Sequence, residues 1–154
     1  MSNNNININV DVQELFLKKI TELTGNYFLQ WMSIPEYFRD NQNEQLRRKI
    51  ISETSYAYRQ IGNSKQNLNE YRSYIANLNG GNVIILCFSK NTGETKLDLY
   101  VQTDPYSMLV ELSGIDKSSL SALYSRVSTS SYNVERFMDT IINSLGYRLK
   151  TART

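Results

Sequence analysis

Around residue 81 the hydrophobic period of this chain changes from that of helices to that of strands, and this switch constrains the fold more than any other feature. Val83-Ile84-Ile85-Leu86-Cys87-Phe88 is an unbroken apolar run, and Lys90-Asn91-Thr92-Gly93 follows it with turn chemistry. Thr95, Leu97, Leu99 and Val101 then alternate with Lys96, Asp98, Tyr100 and Gln102. A β-hairpin accounts for all three segments, its first strand buried on both faces and its second on one. Two strands alone are marginal in water, so a third strand is expected over Met108 to Leu112, although Asp104-Pro105 also reads as the start of a short helix.

Helical spacing dominates on either side. Asp11 reads as an N-cap, followed by Val12, Leu15, Phe16, Ile20 and Leu23 on one face and a stop at Thr24-Gly25. Tyr27 to Met32 is apolar all round and predicts a short buried helix or turn before Pro35. Asp40 to Asn43 is a linker. A third helix is predicted over Glu44 to Ile61, with Leu46, Ile50, Ala57 and Ile61 inward, and a fourth over Gln66 to Leu78, with Asn79-Gly80-Gly81 as its glycine stop. After the hairpin, helices are expected from Asp116 to Arg126 and from Tyr132 to Leu145, separated by a serine- and threonine-rich loop at 125–131. In the last helix Val134, Phe137, Met138, Ile141 and Leu145 lie on one face. The expectation is an α+β fold in which an N-terminal helical half precedes a small antiparallel hairpin or three-stranded sheet covered by C-terminal helices. One domain spans 11–146, between an Asn-rich arm (1–10) and a basic tail (147–154). Ile6, Ile8 and Val10 alternate in that arm, a pattern able to add to a neighbour's sheet edge.

The chemistry open to the chain is narrow. Its 154 residues include no histidine and a single cysteine, which removes Ser-His-Asp triads, Cys-His dyads and His-containing metal sites from any one subunit. Cys87 lies inside the apolar run and reads as a small buried hydrophobe. Asp98, Asp104 and Glu111 match no metal-binding spacing and read as solvated surface acids. The expectation is therefore no enzyme, no cofactor and no metal. No apolar stretch is long enough to cross a bilayer, and the polar start lacks a signal peptide's basic flank and apolar centre, so a soluble, cytoplasmic protein is expected. Frequent Asn, Ile, Lys and Tyr fit an AT-rich gene.

Contacts are the remaining source of function. Tyrosine, tryptophan and arginine favour interfaces, so Trp31, Tyr37, Ile51 and Tyr58 are the candidate partner-binding residues of a non-enzymatic binding, adaptor or assembly protein that self-associates. An alternative is nucleic-acid binding. Arg48 and Arg59, eleven residues apart, align on one helical face, and Arg72 and the basic tail with Arg148 and Lys150 add guanidinium and ammonium donors beside tyrosine rings. A second alternative uses the same cations in a small-anion pocket assembled between subunits.

Overall fold

A computed structural model describes residues 8–54, 67–90, 92–131, 138 and 141–144. Among the described residues, helices and a six-stranded antiparallel sheet make an α+β fold with helices at both ends of the chain. The helices are α1 (Val10–Gly25), α2 (Ile34–Asp40), α3 (Glu44–Glu53) and α4 (Lys117–Ser131). The strands are β1 (Trp31–Ser33), β2 (Asn67–Leu68), β3 (Tyr74–Leu78), β4 (Gly81–Ser89), β5 (Thr95–Gln102) and β6 (Val110–Glu111).

The apolar run is the centre of the molecule. In the strand order β1-β3-β4-β5-β6, β4 lies in the middle, and Ile84, Ile85, Leu86 and Phe88 have no measurable exposure. Successive side chains of a strand point to opposite faces, so an unbroken run demands cover on both. One face supplies Val83 and Ile85 to a cluster with Leu17 and Ile20 of α1 and Leu123 and Val127 of α4. The other supplies Ile84, Leu86 and Phe88 to a cluster with Tyr37 of α2 and Leu46 and Ile50 of α3. Each large side chain buried this way contributes about 1.5–3 kcal/mol. The sheet is thus covered by α1 with α4 on one face and by α2 with α3 on the other, rather than by C-terminal helices alone. β5 is correspondingly buried on both faces from Asp98 to Tyr100, not on one.

The largest departure from the sequence reading is at 66–78. In place of a fourth helix the chain forms β2, a 3-10 turn at Glu70–Arg72, and β3. β2 and β3 lie along the same side of β4, and the turn between them is an insertion in what is otherwise one strand: Leu68 pairs with Phe88 and Tyr74 with Ile85. Ser73 repairs the ladder across this gap, its Oγ accepting from the Cys87 amide at 2.9 Å, while the Cys87 carbonyl accepts from the Asn69 amide at 2.8 Å. Asn79 and Gly80, read as a helix stop, are the two central residues of a tight β3–β4 turn with φ of 50° and 81°. Positive φ at both positions matches the right-handed twist of the flanking strands, which is why Asn-Gly is favoured there.

Smaller corrections have local causes. The N-cap of α1 is Asn9, not Asp11: the Asn9 side chain accepts from the amides of Asp11 and Val12. α1 buries Gln13, Leu17, Ile20 and Thr24, leaving Val12 and Leu15 exposed. Tyr27 to Met32 is neither helix nor buried throughout. Tyr27 adopts φ of 61°, the Phe28 amide donates to the Leu23 carbonyl to close the end of α1, and β1 begins at Trp31. The serine-rich segment 125–131 continues α4, held by the burial of Val127, and the Thr129 and Ser130 hydroxyls turn back to donate to the carbonyls of Ser125 and Val127. The expected third strand at 108–112 shrinks to the two residues of β6, and Asp104-Pro105 opens a turn, with the Asp104 carboxylate accepting from the Tyr106 amide and the Ser107 hydroxyl. Met138 and residues 141–144 are helical, and Met138 and Ile141 are exposed. The expected third helix stops at Glu53, where Thr54 is an extended C-cap whose hydroxyl donates to the Ile50 carbonyl; the arm before Ile8, residues 55–61 of that expectation and the basic tail lie outside the described residues.

Candidate binding groove

Two of the four predicted contact residues are inside the protein. Trp31 is 4% exposed and belongs to the core on the α1–α4 face, and its indole Nε1 donates to Thr24 Oγ1 at 2.9 Å. Tyr37 is 5% exposed in the core on the opposite face and packs edge-on against Phe38. Both rings are therefore core residues of the described structure. Ile51 is half exposed on the outer side of α3, and Tyr58 lies outside the described residues.

Of the cations, Arg48 and Arg72 are exposed, whereas Arg59, Arg148 and Lys150 lie outside the described residues. Arg48 is on α3, and the Arg72 carbonyl accepts from the Tyr124 hydroxyl of α4 at 2.7 Å, so the two arginines belong to elements tied to different faces of the sheet. Among the described residues no group of three carboxylate, thiol or imidazole side chains is placed to hold a metal ion. Asp98 is buried opposite Leu86 in the layer under α2 and α3, not solvated on the surface; Glu111 is half-buried and Asp104 exposed. Hydrogen bonds from Ser107 and from the Tyr106 amide hold the Asp104 carboxyl below its usual pKa, as Ser118 does for Asp116. Both carboxylates thereby fix turns.

Cys87 occupies a buried polar pocket rather than a reactive one. Desolvation pushes its thiol pKa up, against smaller opposing effects from the Tyr124 hydroxyl and the Arg72 charge. Burial likewise raises the Tyr124 phenol, with Cys87 adding to the effect. A thiol held protonated in this way is a poor nucleophile.

The arrangement best suited to a ligand was not singled out from the sequence. Where the first turns of α1 meet the ends of the β3–β4 hairpin and of β5, an open groove of about 360 Å³ is floored by Ile8, Val12, Phe16, Leu78, Val101 and Leu112. No charged side chain lines it among the described residues, although charged residues make up 21% of the chain. Its polar rim is held by internal bonds. Gln13, buried at the mouth, donates from Nε2 to the Ile8 carbonyl at 2.9 Å and accepts at Oε1 from the Gly114 amide at 2.9 Å. Asn82 Nδ2 donates to Gln102 Oε1 at 2.7 Å, and Gln102 Nε2 donates to the Ser107 carbonyl at 2.9 Å. An apolar floor with a few fixed amides is the usual make-up of a recognition site, since the floor contributes affinity and the amides orientation. Its constituents are dispersed over the sequence from Ile8 to Leu112. The only local signal was that Val12 and Phe16 share one flank of α1.

Among the described residues no helix is long and apolar enough to cross a membrane. Compared with known protein families, with curated proteins and with solved structures, the chain matches none.

Proposed function

We propose that this protein is a non-enzymatic protein-binding module that assembles with a second copy of itself, its uncharged groove receiving an apolar segment of the neighbour. The observation that carries this reading is the groove's composition. Val12 stands 55% exposed in it, beside half-buried Ile8, Phe16, Leu78 and Val101. Exposed apolar surface grouped in one concavity and rimmed by amides favours a partner's side chains over water. The chain carries a matching segment: residues 1–7, ahead of the groove's own Ile8, contain Met1 and Ile6 among asparagines and no charged side chain. Ile6 of the neighbour would fill the floor and its flanking asparagines would meet the amide rim.

The test is sedimentation together with native mass spectrometry of the intact chain and of Val12→Asp. Val12 is exposed, so the substitution leaves the core untouched while placing a charge in the groove. Self-association of the wild-type chain, weakened by roughly tenfold or more in Val12→Asp, is the expected result. A wild-type chain that stays monomeric up to about 100 µM, where a contact worth about 5.5 kcal/mol would be half formed, overturns self-association.

A further inference from the structure

Independently of the groove, we infer that the first half of β5 is a docking edge for an acidic, extended peptide segment of a partner protein, which adds to the sheet as a further strand. Three observations place it there.

The first is the hydrogen-bond parity of the sheet. Cys87 pairs with Leu97, yet both backbone groups of Cys87 are turned to the other side, towards Ser73 Oγ and the Asn69 amide. In an antiparallel ladder the two members of such a pair both point away from each other, so the N–H and C=O of Leu97 face the outer edge. The Leu99 carbonyl confirms the alternation, since it accepts from the Leu112 amide at 2.8 Å on that same outer side. The second observation is that β6 stops short. It pairs with Tyr100 and Val101 alone, so among the described residues no strand covers Thr95 to Leu97. Two outward backbone groups at Leu97 are thus available to a strand that continues the line of β6.

The third observation is charge. The edge opens into a recess of about 300 Å³ between β5 and the first turns of α4, bounded by Lys90, Lys96, Lys117, Leu97 and Leu120 with one carboxylate, Glu94. Glu94 is paired with Lys90 at 3.5 Å, whereas Lys96 and Lys117 have no ion pair among the described residues. Leu97 and Leu120 lie on the α1–α4 face of the sheet, and Lys96, opposite Phe88, lies on the other. An added strand whose residues alternate would set apolar side chains against the two leucines and carboxylates beside Lys96, with Lys117 closing the end. Main-chain bonds to an edge give affinity in this mode, and alternate side chains give selectivity.

The experiment titrates the intact protein with a capped peptide in which glutamate alternates with isoleucine, beside a counterpart with lysine for glutamate and a single-stranded oligonucleotide of equal charge. Expected are saturable binding of the acidic peptide that weakens with salt, slower hydrogen exchange at the Leu97 amide, and a loss of about tenfold or more in Lys96→Glu/Lys117→Glu. Both lysines are exposed, so this variant keeps the fold, which a thermal melt verifies. Leu97→Pro removes the outward N–H without removing a bond to β4, and it too abolishes binding; if it does not fold, the lysine pair decides alone. The inference is overturned if the acidic peptide does not bind, if the lysine peptide binds as well, if the Leu97 amide exchanges at an unchanged rate, or if the oligonucleotide takes the lysines in preference. The Val12→Asp protein binds the acidic peptide normally, because the groove lies at the opposite end of β5, so failure of one surface leaves the other intact.

Discussion

Gly80 and Gly81 are neighbours with different reasons to be glycine, and replacing each by alanine separates a hairpin from a helix end. Gly80 has φ of 81° and nothing within 4 Å of where a Cβ would stand. Alanine there meets only the left-handed backbone, worth about 1–2 kcal/mol, partly offset by a stiffer unfolded chain, for a net cost of about 1 kcal/mol. Gly81 is the first residue of β4, and its Cβ would fall 2.9 Å from the Thr103 carbonyl oxygen and nearer still to that of Gln102. Both obstacles are backbone, so relief requires β4 and β5 to part at the Asn82–Gln102 pair, where a 2.7 Å side-chain bond is lost. Overpacking of about 2 kcal/mol with one hydrogen bond of about 1 kcal/mol gives about 3 kcal/mol. In urea unfolding, at a slope of about 2 kcal/mol per M, the midpoint falls by about 0.5 M for Gly80→Ala and about 1.5 M for Gly81→Ala, with the slope unchanged. Gly80→Asn recovers most of the first loss, since asparagine tolerates positive φ. A chain that ended a helix at Asn79 would leave Gly81 beyond the cap, where alanine costs nothing. If Gly81→Ala proves as mild as Gly80→Ala or milder, the close approach of β4 to β5 is refuted.

Three further outcomes follow from the described contacts. Asn9→Ala costs about 1 kcal/mol in urea unfolding because it orphans two amides of α1, whereas Asp11→Ala, which removes only a first-turn charge, costs a few tenths. The sole tryptophan emits in the blue and resists acrylamide quenching, and Trp31→Phe costs about 1–3 kcal/mol by breaking the buried bond to Thr24; a red, readily quenched emission would return Trp31 to the surface. Burial raises the Cys87 pKa above its ordinary 9.0, so the folded chain keeps a proton that the unfolded chain releases. Stability from this group is therefore complete below pH 9 and declines above it by about 1.4 kcal/mol per pH unit until the folded pKa is reached; unfolding measured from pH 8 to 10 should show a shallower alkaline decline in Cys87→Ala.

The central hairpin was legible because two independent signals agreed: an unbroken apolar run requires cover on both faces, and the strand beside it alternates. β3 was not, because Leu68, Tyr71, Ile75 and Leu78 fall at helical spacing by coincidence. Three adjacent residues, Tyr74, Ile75 and Ala76, are all buried, which an amphipathic helix with one inward face does not produce. Asn79-Gly80 serves equally as a helix stop and as a hairpin turn, and only the strand it joins decides between them. The serines of α4 look like a loop until Leu123 and Val127 are seen to be fully buried, since tertiary packing then outweighs their low helix propensity. The burial of Trp31 and Tyr37 was not legible for a related reason: an aromatic ring serves a core or an interface equally well by composition, and which it serves depends on elements far away in sequence.

Covering both faces of the sheet also limits where recognition is possible. A sheet that exposes one face can bind through that face; here α1 with α4 and α2 with α3 occupy both, and β4, the strand richest in apolar side chains, is inaccessible. Of the sheet itself, strand ends and edges remain. β5 supplies one of each, because the connection from its end to β6 turns back sharply at Asp104 and pairs with only the second half of the strand. Val101 and Gln102 therefore border the uncharged groove beside α1, and Thr95 to Leu97 lie open beside the lysines of the α4 recess. One surface is neutral and apolar and the other is cationic with backbone groups that no strand among the described residues pairs, so they select different chemistry. Under the proposed self-association, a second copy at the first surface would leave the second open to a different partner, so the two proposals are compatible in one molecule.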